Sequence, residues 1–153
     1  MSIMYQSSQS TTIRRNTLVA IALLMFVTIA NNAYAVQIGQ RIAGGVVFYI
    51  DESGERGVVA ATTDLPDTYD FQQAKEACEK FVQNGYSDWY LPSKWELNEL
   101  YNHKQAVGGM ASDHYWSSSD YFADYAWFQY FSTGFKSTTS KDNGHAVRPV
   151  RAF

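Results

Sequence analysis

The chain has 153 residues, 46% of them hydrophobic and 16% aromatic, which supplies enough apolar surface for one core and excludes a disordered protein. Of its 12 Lys+Arg residues only Arg14 and Arg15 precede Val36, so positions 36–153 hold 10 basic against 15 acidic residues, a net charge of −5. No nucleic acid is expected as a partner, because phosphate-driven binding requires a basic surface and Arg148 and Arg151 offer only a slight local one.

The first 35 residues read as a cleavable export signal. A polar start ends in Arg14-Arg15-Asn16, positions 18–30 form an apolar stretch, and Ala33-Tyr34-Ala35 fits the small-x-small cleavage pattern. The apolar stretch is too short for an anchor: at about 1.5 Å rise per residue it covers about 20 Å of a roughly 30 Å hydrocarbon core. The one cysteine, Cys78, stands far from it, so a lipid-modified amino terminus is not expected either. The expected organisation is a signal peptide over 1–35 and a single domain over 36–153, exported to the periplasm or the extracellular space without a stable membrane anchor.

Gly44-Gly45 precede the run Val46–Ile50, and Val58–Ala61 follow a polar, glycine-containing connection, which is a β-hairpin signature. Both runs are apolar on successive residues, so both faces of this hairpin should be covered. From Asp70 the period becomes helical. Phe71, Ala74, Cys78 and Phe81 share a face, Asp70 can cap the amino end and Gly85 stops the run, which predicts a helix over 71–83. Cys78 on that face should be buried, and as a lone cysteine it excludes an internal disulfide.

Ser93-Lys94-Trp95-Glu96 is a capping box that opens a second helix over about Lys94–Lys104, with Leu97, Leu100 and Tyr101 as its inner stripe. Beyond Gly108-Gly109 come three strand-like runs, Tyr115–Ser118, Ala126–Phe131 and Ala146–Arg151, separated by polar loops over 119–125 and 136–145. Pro149 cannot donate to a ladder, so the last strand should lie at an edge or carry a bulge. Strands at both ends with helices grouped between them describe an α+β domain.

Several of these pieces form a recognisable set: Gly85-Tyr86-Ser87-Asp88-Trp89-Tyr90-Leu91-Pro92-Ser93 followed by Glu96-Leu97 and Leu100, then Tyr115-Trp116-Ser117-Ser118-Ser119, Ala126-Trp127 and Val147-Arg148-Pro149-Val150-Arg151. Together, over about residues 39–151, they resemble the family named for the carboxy-terminal domain of the Legionella collagen-like adhesin. The resemblance implies a compact C-type-lectin-like fold on an exported bacterial protein, with an adhesin-like role. The adhesin itself is trimeric, which adds a homo-oligomer to the expectations, and it binds sulfated glycosaminoglycans, a ligand that a charge of −5 does not favour. Many family members have a cysteine in the final strand, able to pair with one in the first helix; Pro149 stands in that part of the motif here, so Cys78 lacks such a partner.

Candidate contacts come from exposed aromatic and polar positions. Trp95 lies outside the Leu97-Leu100-Tyr101 stripe and should be exposed, whereas Trp89 and Trp116 sit inside the recurrent motifs and should be core. The connection Asp120–Tyr125 carries three aromatics, and Tyr121 and Tyr125 are the expected contacts because tyrosine offers a stacking face and a hydroxyl at small entropic cost. The alternative is that Phe122 tucks under the sheet while the tyrosines cover its edge. Asp142 and Asn143 are further candidate contacts, with a plain turn as their alternative; they fall short of the six to eight oxygens that calcium requires, so no metal is expected.

His103, His114 and His145 lack metal spacing, no Gly-x-Ser-x-Gly elbow is present, and Glu96 and Glu99 are helix-surface charges, so neither catalytic residues nor a cofactor are expected and the chain reads as a non-enzyme. The functional expectation is an exported module that contacts a surface glycan or envelope protein through Trp95, Tyr121, Tyr125, Asp142 and Asn143. The alternative is a structural or assembly component of an envelope complex without a small ligand of its own.

Overall fold

The computed structural model describes residues 35–153; the expected signal segment, Ala35 excepted, lies outside them. Val36–Phe153 is one compact unit. Short strand β1 (Arg41–Ile42) turns back into β2 (Gly45–Ile50), which pairs antiparallel with β3 (Gly57–Ala60), Val46 opposite Ala60 and Val47 opposite Val59. The β2–β3 connection is a side-chain-stabilised turn in which Asp51 Oδ1 accepts from the Ser53 hydroxyl at 2.6 Å and from the Ser53 and Gly54 amides.

Helix α1 (Phe71–Glu79) starts at the expected Asp70, whose carboxylate accepts from the Gln73 amide at 2.8 Å while the Gln73 side chain answers the Asp70 amide. It ends four residues earlier than periodicity suggests, with Lys80 as its C-cap. Phe81 consequently leaves the Cys78 face and packs edge-on against Trp89, at 5.6 Å between ring centroids, and Val82 is exposed. A tight turn is responsible. Asn84 (φ 53°) and Gly85 (φ 83°) close the Gln83–Tyr86 bridge, a geometry that suits an Asn-Gly pair and interrupts the helix. The Gln83 amide then holds Gly44 and Thr62.

Helix α2 (Lys94–Asn102) carries the capping box foreseen at Ser93 and Glu96, and a short α3 (Lys104–Val107) continues from His103. The second sheet is β4 (His114–Phe122), β5 (Tyr125–Tyr130) and β6 (Lys136–Ser140), all antiparallel in that order. Both expected loops are therefore largely strand. Residues 119–122 extend β4 to a two-residue turn at Ala123-Asp124, and the polar run 136–140 pairs with β5 from Gln129 to Tyr125. Lys-Ser-Thr-Thr-Ser shows no apolar alternation because β6 is an edge strand with no face in the core.

The last strand, β7 (Val150–Ala152), begins just after Pro149 and takes the edge beside β3, giving the order β1-β2-β3-β7. Ahead of it Ala146 bridges to Tyr115 of β4, and Val150 itself pairs with Ala60 of β3 and bridges to Tyr90, so the segment stitches both sheets. The architecture is thus α+β with two antiparallel sheets. Val46, Phe48, Val58 and Ala60 meet Leu97, Leu100, Tyr115 and Phe131 in the central core. Val47, Val59 and Ala61 are covered by Trp89 on the other face of the hairpin, as the unbroken apolar runs require. The α1 residues Phe71, Ala74 and Cys78 cover Trp116 and Ala126 of the second sheet. Among the described residues no helix is long and apolar enough to cross a membrane.

Candidate functional site

The recurrent motif residues are consumed by the scaffold. Trp116 Nε1 donates to the Tyr69 carbonyl at 2.8 Å and Trp89 Nε1 to that of Tyr86 at 3.0 Å, and both rings are buried. Where β4 leaves its ladder after Trp116, Ser117 Oγ donates to the Trp127 carbonyl, the Ser118 amide to the Pro92 carbonyl and the Lys94 amide to Ser119 Oγ, at 2.8, 2.7 and 2.9 Å. Arg148 is 1% exposed, its Nε on Asp64 at 2.6 Å and its other nitrogens on the Ala61 and Gly109 carbonyls. Arg151 is paired with Asp88. Neither arginine contributes a free basic surface, which removes the slight one the sequence suggested.

What the scaffold leaves outside is aromatic. At the tip of the β4–β5 hairpin the register slips between Asp120 and Phe122, so that Phe122 stands opposite Tyr125 with Tyr121 bulged beside them. Tyr121, Phe122 and Tyr125 are 50%, 67% and 47% exposed. Phe122 is the most exposed of the three, so it does not tuck under the sheet. Tyr121 lies edge-on to Phe122 and to Trp127, at 4.5 and 5.6 Å between centroids, and Tyr125 shares a strand face with Trp127 two residues on. Lys94, from the first turn of α2, places its ammonium 3.1 Å from the Trp127 ring centroid. The result is a patch of four rings with one cation.

The family model for the Lcl C-terminal domain matches residues 27–151. The chain belongs to the Lcl C-terminal domain family. No curated protein matches the chain. In this Lcl C-terminal domain, the match takes in the motif residues that build the scaffold and the hairpin that carries the patch.

Of the other candidate contacts of this Lcl C-terminal domain, Trp95 lies on the other sheet, whereas Asp142 and Asn143 follow Ser140, which pairs with Tyr125 at the hairpin tip, and Lys141 beside them donates to the Ala123 carbonyl. Trp95 is 51% exposed, as its place on the helix suggests, but its ring rests edge-on against Tyr49 of β2 at 4.7 Å, on the four-stranded sheet. Asp142 and Asn143 form a turn after β6: the Asn143 amide donates to the Ser140 carbonyl and its side chain to Thr139 Oγ1. Asp142 borders a shallow groove with Phe71, Lys75, Asp120 and Lys141, where Lys141 already neutralises Asp120. Phe122, Trp127 and Lys94 are the patch members that sequence reasoning did not name as contacts. A stacked ammonium has no sequence period to reveal it.

The fold also joins two histidines 31 positions apart. His114 stacks on Tyr130 at 4.4 Å and on His145 at 5.6 Å, and His145 packs against Trp116 and Phe128. His145 Nε2 is buried without a hydrogen-bond partner, and burial, together with His114, holds the ring below its usual pKa. Among the described residues no group of three or more His, Cys, Asp or Glu side chains could hold a metal.

Proposed function

We propose that this domain is an exported, adhesin-like binding module that uses the β4–β5 hairpin to contact a surface glycan, in a lectin-like manner, without catalysis or a cofactor. Membership of the Lcl C-terminal domain family supports an adhesin-related role. The observation that carries the reading is the patch itself: three rings roughly half or more exposed on a hairpin whose other residues are tied into the fold. Pyranose C–H faces pack on such rings, while the tyrosine hydroxyls and the Lys94 ammonium supply donors for sugar oxygens. The mature charge of −5 supports a neutral glycan over a polyanion.

A second reading, assembly within an envelope complex, is favoured by one feature. Phe122, 67% exposed, is the most exposed large apolar side chain among the described residues and has no polar atom to offer a sugar. Binding of the Val36–Phe153 domain to an immobilised glycan array, set against pull-down from envelope extracts, separates the two. Glycan binding lost in a Tyr121→Ala/Tyr125→Ala double variant sustains the first; a specific protein partner lost in Phe122→Ser, with an empty array, replaces it with the second.

A further inference from the structure

We propose that the outer edge of β6 is a docking surface for the β6 of a second copy of this chain, the two strands pairing antiparallel about a two-fold axis at Thr138. Nothing in this pairing depends on what the aromatic patch binds. Strand edges are templates for further pairing unless they are blunted or covered. Three of the four sheet edges are so treated. β1 is two residues long, and β7 is three residues long with Val150 taken by its bridge to Tyr90. β4 is covered on its outer side, where Tyr115 bridges to Ala146 and the Ser118 amide donates to the Pro92 carbonyl. β6 runs for five residues, Lys136–Ser140, with no proline, no glycine and no shift of register against β5.

Two hydrogen bonds fix which of its backbone groups face outward. The Tyr130 amide donates to the Phe135 carbonyl at 2.8 Å and the Lys141 amide to the Asp124 carbonyl at 2.9 Å. Both continue the register in which Gln129 stands opposite Lys136 and Tyr125 opposite Ser140. Inward and outward positions alternate in an antiparallel ladder, so Ser137 and Thr139 turn their amides and carbonyls to β5, and Lys136, Thr138 and Ser140 turn theirs away. Among the described residues the outward groups of Lys136 and Thr138 have no backbone partner, and the Ser140 carbonyl accepts from the Asn143 amide.

Self-complementarity identifies the occupant. Centred on Thr138, the pairing sets Thr138 opposite its own counterpart and Lys136 opposite Ser140 of the second copy, so every outward group meets an outward group. Threonine and serine hydroxyls opposite one another are favourable cross-strand neighbours. Charge agrees as well. The two Lys136 side chains stand at opposite ends of the pairing, each toward the end of the other copy where Asp142 follows Ser140. At that end Lys141 is neutralised by Asp120, whereas Asp142 has no ion-pair partner among the described residues. An isologous contact of this kind closes at two copies.

The pairing also sets where the two aromatic patches lie. Thr138 stands opposite Trp127 and Ser140 opposite Tyr125, so these side chains share one face of the sheet. A two-fold axis normal to the sheet keeps that face on the same side in both copies. The product is a six-stranded sheet in which the two β5 strands are three strand spacings apart, about 14 Å, with both hairpins presenting Tyr125 and Trp127 on one face.

Sedimentation equilibrium of the Val36–Phe153 domain over a range of concentrations reads the pairing directly, and the expected result is a monomer–dimer equilibrium. Thr138→Pro removes an amide that points outward, so the β5–β6 ladder and the melting temperature should be little changed. Dimer affinity should nevertheless fall at least about tenfold, because both copies lose a donor at the axis. Thr138→Cys should form a disulfide-linked dimer under mild oxidation, since directly opposed residues of an antiparallel pair have Cα atoms about 5.5 Å apart, within disulfide reach. Ser137→Cys, which stands opposite Thr139 of the second copy instead of its own counterpart, should not, and the native Cys78 is buried. A monomer at every concentration, a trimer, or a dimer whose affinity ignores Thr138→Pro and whose cross-linking ignores position 138 overturns the inference.

Discussion

Arg148 donates from Nε to the Asp64 carboxylate at 2.6 Å, joining residues 84 positions apart beside the central core. The other Asp64 oxygen accepts from the Tyr115 hydroxyl, also at 2.6 Å, and that hydroxyl accepts in turn from the Ala111 amide. Burial and the Asp64 contact push the Tyr115 hydroxyl well above its usual pKa, so it is a donor at neutral pH. The network thus ties the last segment of the chain to the connection between β3 and α1.

Arg148→Met should destabilise the domain by about 3 kcal/mol in urea unfolding at neutral pH, the lower end of the usual cost of breaking a buried pair, because Asp64 retains 20% exposure and can recover water. Two carbonyls also lose their donors. A loss under about 1 kcal/mol would mean that the network is decorative.

Cys78 is fully buried, and burial pushes its thiol up to about 12, with Glu79 adding to the effect. Thiolate is therefore scarce at pH 8, and access requires opening of α1. Labelling by a thiol reagent is expected to be slow in the native state and to accelerate with denaturant in step with unfolding. Rapid native labelling, or a disulfide-linked dimer on a non-reducing gel, would contradict the buried geometry.

His145 gives the domain an acid-sensitive joint. Its folded pKa lies below the usual 6.5, so the unfolded chain takes up the proton first as pH falls. Stability is complete above about 6.5, declines as pH drops through that value and levels once the folded ring is also protonated. The groups facing it are His114, which opposes the imidazolium, and Asp113, which partly offsets it. Melting temperatures between pH 7.5 and 5 should fall in wild type and be flatter in His145→Gln; parallel profiles would assign the acid sensitivity elsewhere.

Tyr121→Ala and Tyr125→Ala should each weaken glycan binding by roughly 1–3 kcal/mol if the ring is an anchor, with little shift in melting temperature, since both side chains are about half exposed. Lost stability at unchanged affinity would make the hairpin tip structural.

Protein recovered from the envelope or medium is expected to begin at Val36, following the Ala33-Tyr34-Ala35 pattern. An intact mass that includes residues 18–30 would instead mean a retained apolar segment.

Local signals were legible where one residue's chemistry decides the geometry. Asp70 and Ser93 cap helices, Pro149 confines its strand to an edge, and the doubly apolar runs from Val46 and Val58 form a hairpin covered on both faces. Signals failed where something outside the segment decides its structure. β6 is polar because only its pairing with β5 makes it a strand, and α1 stops short because the Asn84-Gly85 turn wins over helical period. The patch was half legible: Tyr121, Tyr125 and Trp95 are exposed as their positions suggest, yet the division of Trp95 from Trp127 depends on which sheet each neighbour of Lys94 meets.

The pairing of β7 with β3 has a consequence for how the protein is made. Among the described residues the backbone bridges that link the two sheets run through the last segment, Ala146 to Tyr115 and Val150 to Ala60, and the Arg148 clasp lies in the same few residues. Closing contacts of such long sequence separation form late, and a ribosome or a translocation channel that still holds the final segment withholds them. A chain whose carboxy-terminal end is still held therefore lacks the backbone links between its two sheets until that end is released.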